Sequence, residues 1–177
     1  MPLTLEDSAR LSGGHCWVER RLFEITGGWV RSMPEPEAKL MLDRHSQHHA
    51  WRARQWWDRL PVLDDVDREA LVAPPAPAVA ALMDALAGLG VTVPRLAGLY
   101  RVALGRVHVS YRAHGRLAGP VADGSVLRTL DIVGRDVIRD WTEGEAALQS
   151  LLITRGAVDE AAAAVARLEG LLAEPAG

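Results

Sequence analysis

The stretch Asp43-Arg-His-Ser-Gln-His-His-Ala-Trp51 puts three imidazoles within five residues. In a helix, where successive residues turn by about 100°, His45, His48 and His49 share a sector facing the same way as Leu42 and Trp56. Imidazole is a preferred ligand for iron, zinc or copper, so three of them turned inward point to a metal site. The same side chains can also serve as buried groups bonded to one another, to tyrosines or to water. Upstream, His15 is followed one turn later by Glu19; downstream, His108 and His114 flank Tyr111. A carboxylate with two histidines leaves coordination positions open for oxygen, water or substrate. On this reading Glu19, His45, His48, His49 and His108 are the candidate ligands of a single iron or zinc ion.

Other chemistries lack their residues. The sequence has no Gly-rich phosphate loop, no Gly-x-Ser-x-Gly elbow and no Cys pair for zinc. Cys16 is the one thiol, so no internal disulfide forms, and its helical neighbour His15 points about 100° away; a free buried cysteine is expected. A net charge of −3 over 177 residues argues against a nucleic-acid binder. No basic, apolar leader opens the chain and no apolar run of ~18 residues exists, so a cytoplasmic protein with no membrane span is expected. All the basic residues but Lys39 are arginine, a bias that fits a GC-rich bacterial genome.

The elements that must position these residues read as all-α. The first helix is expected from Thr4, capped with Asp7, to Arg31, with the seam Leu11, His15, Val18, Leu22, Ile25 and Trp29 at 4-3 spacing. The second should run from Pro36 to Leu60 with Leu42, His45, His49, Ala53 and Trp56 inward. A long connection, Val62 to Val93, contains acidic Asp64, Asp65, Asp67 and Glu69, the Pro74–Pro77 break and a short helix over Val79–Leu89. The third helix is expected over Pro94–Leu117, with Tyr100, Val107, Tyr111 and His114 inward. The fourth, from Asp123 or Ser125 to Leu152, should turn Leu127, Leu130, Gly134, Val137, Trp141 and Leu148 inward, with Gly134 and Gly144 admitting a bulky neighbour. Residues 1–155 thus form a four-helix bundle with a long crossover between helices 2 and 3, and residues 156–177 an Ala-rich C-terminal helix on or beyond it.

This plan resembles the ferritin-like superfamily, whose di-metal members carry a Glu on each of two helices and Glu-x-x-His on the other two. Glu19 matches the first-helix Glu. On the second helix His45-Ser-Gln-His48 has the spacing with His in the place of Glu, and the third helix has no acid at all between Arg95 and Ala122. In Asp131-Ile-Val-Gly134 the ligand His is replaced, leaving Asp131 as a single surviving ligand. The resemblance therefore implies a bundle without a standard di-iron site, whose interior binds a small-molecule ligand or a protein partner. The alternative is a mononuclear metal-dependent oxidase or isomerase. His45 and His49, one turn apart, also resemble the histidine pair of the DinB-like group, whose mononuclear site uses three histidines.

Two surface patterns suggest partners. Arg95, Arg101, Arg106, Arg112 and Arg116 on the third helix are expected to pair with the acids of the fourth. Trp51 and Trp57 fall off the core phase of helix 2, and a homodimer or the connection is expected to cover them.

Overall fold

The Thr4 and Asp7 pair starts the first helix as expected. In the computed structural model, which describes residues 3–64 and 66–173, α1 spans Leu5–Val30. Thr4 Oγ1 accepts the Asp7 N–H at 3.1 Å, and the Asp7 carboxylate accepts the Thr4 N–H in return. Residues 1, 2, 65 and 174–177 of the expected ranges lie outside the described residues. Val18, Leu22, Ile25 and Trp29 are buried along the α1 seam. Gly13 is a close crossing point: a Cβ there would stand 2.0 Å from the Leu71 carbonyl oxygen of the connection.

Helix α2 (Pro36–Trp57) starts with proline in its first turn, where no N–H is needed. It stops three residues before the expected Leu60. Pro61 disfavours helical backbone at Leu60, and the chain tightens into turns in which Arg59 and Leu60 donate to the carbonyls of Trp56 and Trp57. The connection contains α3 (Pro77–Ala87). The third long element is one rod in three pieces: α4 (Thr92–Leu96), a π-helical segment (Ala97–Ala103) and α5 (Leu104–Leu117). Helices α6 (Gly124–Leu151) and α7 (Arg155–Ala173) complete the chain. Among the described residues there is no strand, and no helix is long and apolar enough to cross a membrane.

Helix α1 packs along α2, α5 along α6, α2 against α6 and α1 against α5, so these four enclose a shared interior. Leu22, Leu42, Trp56, Tyr100, Leu104, Val133 and Leu148 fill it, each contributing about 1.5–3 kcal/mol by leaving water. Helix α3 packs on α1 and α7, and α7 covers α4 and the π segment.

The inward face of α6 keeps the expected Leu130, Val137 and Leu148 but takes Val126, Val133 and Asp140 in place of Leu127, Gly134 and Trp141. Val126, Leu130, Val133, Val137, Asp140, Gly144 and Leu148 are buried, whereas Leu127 and Gly134 are half-buried and Trp141 is 43% exposed. The shift has an electrostatic cause: Asp140, an acid that pattern alone assigns to solvent, turns inward to meet a buried arginine. Gly144 does admit a bulky neighbour, since its Cβ would lie 2.1 Å from the Tyr100 ring, but no described residue stands within 4 Å of a Cβ at Gly134. Arg101 pairs with Glu145 as expected, while Arg106 pairs with Glu169 of α7 instead. The acids Asp136 and Glu143 of α6 answer Arg52 and Arg44 of α2. Trp57 is covered by Arg20 and Arg68, whose guanidinium carbons lie 5.1 and 4.5 Å from its ring centre.

Candidate metal centre

Arg52 is wholly buried on α2, and a buried guanidinium must find several acceptors. Its Nε donates to Glu19 Oε1 at 3.1 Å, and its Nη1 donates to Asp140 Oδ2 at 2.8 Å and to Asp136 Oδ2 at 2.5 Å. Glu19, fully buried on α1, also accepts from the Tyr111 hydroxyl at 2.5 Å and from His49 Nδ1 at 2.6 Å. Burial pushes the Glu19 carboxyl up, but the Arg52 guanidinium and the bonds from His49 and Tyr111 outweigh it and hold it at about 2. His49 Nδ1 also lies 2.8 Å from Arg52 Nη2, so it stands between the carboxylate and the guanidinium, while its buried Nε2 has no partner among the described residues. Burial, with Arg52 beside it, lowers the pKa of His49 and keeps it neutral.

A second group forms on the other carboxylate oxygen of Asp140. His48 Nδ1 lies 2.8 Å and His45 Nε2 3.5 Å from Asp140 Oδ1. His45 Nε2 also stands 3.1 Å from Glu143 Oε2, and Arg44 holds the other Glu143 oxygen. One ligand atom each from His45, His48 and Asp140 lies within 4.8 Å of the others. His45 and Asp140 are buried, whereas His48 is half-buried and Glu143 exposed, so the group opens to solvent on one side. Burial lowers the His45 pKa against the opposing pull of Asp140 and Glu143. Burial also raises the Asp140 carboxyl, but Arg52 and His45 outweigh it and the net shift is downward.

His45 is held from behind. Its Nδ1 lies 2.7 Å from the Tyr100 hydroxyl, and Tyr100 comes from the π segment. An added residue in the hydrogen-bonded ring re-aims side chains, and such segments are frequent at functional sites. Gly144 on α6 leaves the space that the Tyr100 ring takes.

The sequence-predicted ligands are thus divided. His45 and His48 meet at Asp140. Glu19 and His49 meet each other but are committed to Arg52 and Tyr111. His108 is half-buried, with an Nδ1 that has no partner among the described residues, and is not part of either group. Asp131 is exposed and paired with Arg135 one turn along α6. The sequence reading missed Asp140, Arg52 as a buried charge, and Tyr100 as the partner of His45. A signal existed for the first two: Arg52 lies one turn beyond His48 and His49, and Asp140 follows Asp136 at the same spacing.

Neighbouring His15 and His114 form a separate pair, His15 Nε2 lying 3.1 Å from His114 Nδ1. Burial, with His114 alongside, drives the His15 pKa down to about 3. Cys16 is a buried free thiol that donates to the Ala53 carbonyl oxygen at 3.4 Å, and burial raises its pKa. Compared with protein-family models, with curated proteins and with solved structures, the chain matches none.

Proposed function

We propose that this chain is a ferritin-like helical bundle that binds one divalent metal ion, iron or zinc, at His45, His48 and Asp140, with Glu143 beside them. The observation that carries the proposal is the convergence of His45, His48 and Asp140 within 4.8 Å, open to solvent on the His48 side. Two imidazoles and a carboxylate form the donor set that leaves coordination positions free on a mononuclear ion. The local charge favours a dication: Glu19, Asp136, Asp140 and Glu143 stand against Arg44 and Arg52, an excess of two negative charges while His45 and His49 stay neutral. A two-metal centre does not fit these residues, because Glu19 is already bonded to Arg52, His49 and Tyr111.

When bound, such an ion supplies Lewis-acid polarisation to a small substrate or, as iron, one-electron chemistry at the open positions. The protein's part is positional. Tyr100 holds His45 Nδ1 and so directs Nε2 to the group, as an outer partner does for a ligating imidazole. Arg52 takes Asp140 Oδ2 and leaves Oδ1 facing the histidines. Glu143, at the solvent side, is placed to take a proton from an incoming ligand.

The test is a titration of untagged protein with Zn(II), and with Fe(II) under anaerobic conditions. About one ion per chain is expected, with protons released on binding. H45A and H48A should abolish binding, while H108A and D131A should leave it intact. Uptake below about 0.1 ion per chain, or undiminished binding in folded H48A, overturns the proposal.

A further inference from the structure

Tyr111 has another neighbour besides Glu19. Its ring, with His15, Val79, Leu82, Met83 and Val107, lines a cavity of about 350 Å³ beneath α3. That is within the size range of small-molecule sites. None of the proposed metal ligands lines it, so the inference stands on a different observation from the metal reading.

The polar side chains around this cavity are His15, Arg106, Tyr111 and, exposed at its edge, Ser110. The Tyr111 hydroxyl donates to Glu19 and accepts from Trp56 Nε1 at 2.9 Å. Arg106, at the rim, is paired with Glu169. His15 Nε2 is taken by His114, leaving His15 Nδ1 as the ring nitrogen available to an occupant. Among the described residues no acid lines the cavity, His15 carries no charge and the one lining cation, Arg106, is already paired with Glu169, so an ionic guest would be desolvated without a free counter-charge. Apart from His15, Arg106 and Ser110 the walls are hydrocarbon with one thioether and the Tyr111 ring, surfaces that favour an aromatic guest. A hydroxyl both donates and accepts, and so meets His15 Nδ1 in either tautomer.

We propose that the cavity between α1, α3 and α5 binds a small neutral phenol, of one or two rings, with its hydroxyl on His15 Nδ1. The probe is 2-naphthol, titrated calorimetrically into the full chain near neutral pH, with naphthalene and 2-naphthoate as controls. Saturable one-to-one binding of 2-naphthol is expected, about tenfold tighter than naphthalene through the one buried hydrogen bond. The 2-naphthoate anion should bind more weakly than either. H15F should bring 2-naphthol down to the affinity of naphthalene. A78F, which adds a ring to the half-buried wall residue Ala78, should weaken both at least about tenfold in protein whose circular dichroism is unchanged. Nuclear Overhauser contacts from 2-naphthol to the Met83 methyl group locate the guest in the unaltered protein, so the test does not depend on the folding of A78F. Absence of saturable binding overturns the proposal, as do contacts only to methionines other than Met83, naphthoate binding as tightly as naphthol, or full affinity in folded A78F.

Discussion

Arg52 is surrounded by more charge than any neutral replacement could satisfy, and its removal is the most informative single change. It holds Glu19, Asp136 and Asp140 from α1 and α6 onto α2, with no solvent to share the work. A buried ion pair is weak support for stability against an apolar substitute for both partners, but deleting one partner strands the other. R52M is expected to cost about 3–5 kcal/mol in urea denaturation. R52M combined with E19Q should cost less than the two single changes added, because one of the stranded buried carboxylates is gone while Asp140 remains. Tyr100 permits a finer cut. Y100F removes only the oxygen 2.7 Å from His45 Nδ1 and keeps the ring that fills the space over Gly144. Its expected effect is a roughly 10–100-fold weaker Zn(II) affinity in a competition titration. A variant with unchanged affinity would show that the hydroxyl plays no part in directing His45.

At the scale of elements, regular helices were legible and their deviations were not. The Thr4–Asp7 box, Pro36 and the 4-3 seams of α1 and α2 are local patterns, and the buried faces of both helices follow from them. The inward phase of His45 and His49 was legible for the same reason. The face of α6 was not, because Asp140 belongs inside only once Arg52, 88 residues earlier, is known to be buried. Hydrophobic pattern put Trp141 in the seam; the long-range charge pair puts its neighbour there. The π segment left no mark in Ala97-Gly-Leu-Tyr-Arg-Val-Ala103, whose residues suit an ordinary helix. What distinguishes it is what it packs against: a Cβ at Gly98 would stand 2.7 Å from Leu168 and 2.9 Å from Leu86. Leu168 is fully buried and ties α7 to that segment. L168A is therefore expected to lose about 2–5 kcal/mol. Hydrogen exchange should quicken first in α7 and the π segment; an equal rise in α1 and α2 would mean that α7 is not a separable layer.

For the whole molecule, burying imidazoles fixes how stability depends on acid. Burial holds His15 at about 3 against its ordinary 6.5, and His114, its partner, is also lowered by burial. The charges acting on the pair do not reverse this: Glu19 raises His15 and Asp123 raises His114, both less than burial lowers them. Below about pH 6.5 the unfolded chain takes up a proton at His15 that the folded chain refuses, so stability rises with pH and is lost on acidification. Between pH 6.5 and pH 5 this amounts to about 2 kcal/mol for His15 alone. Glu19, held at about 2 against its ordinary 4.5, acts in the same direction but only further down, its contribution being complete above pH 4.5 and lost toward pH 2. The two kinds of group therefore separate along the pH axis. Urea midpoints measured from pH 7.5 to pH 3.5 should start to fall near pH 6.5, where carboxylates hardly titrate, and fall more steeply below pH 4.5. In H15F the upper part of that fall should shrink while the lower part remains. A midpoint that stays level down to pH 5 would mean that His15 is protonated within the fold, and that the interior between α1 and α5 admits charge.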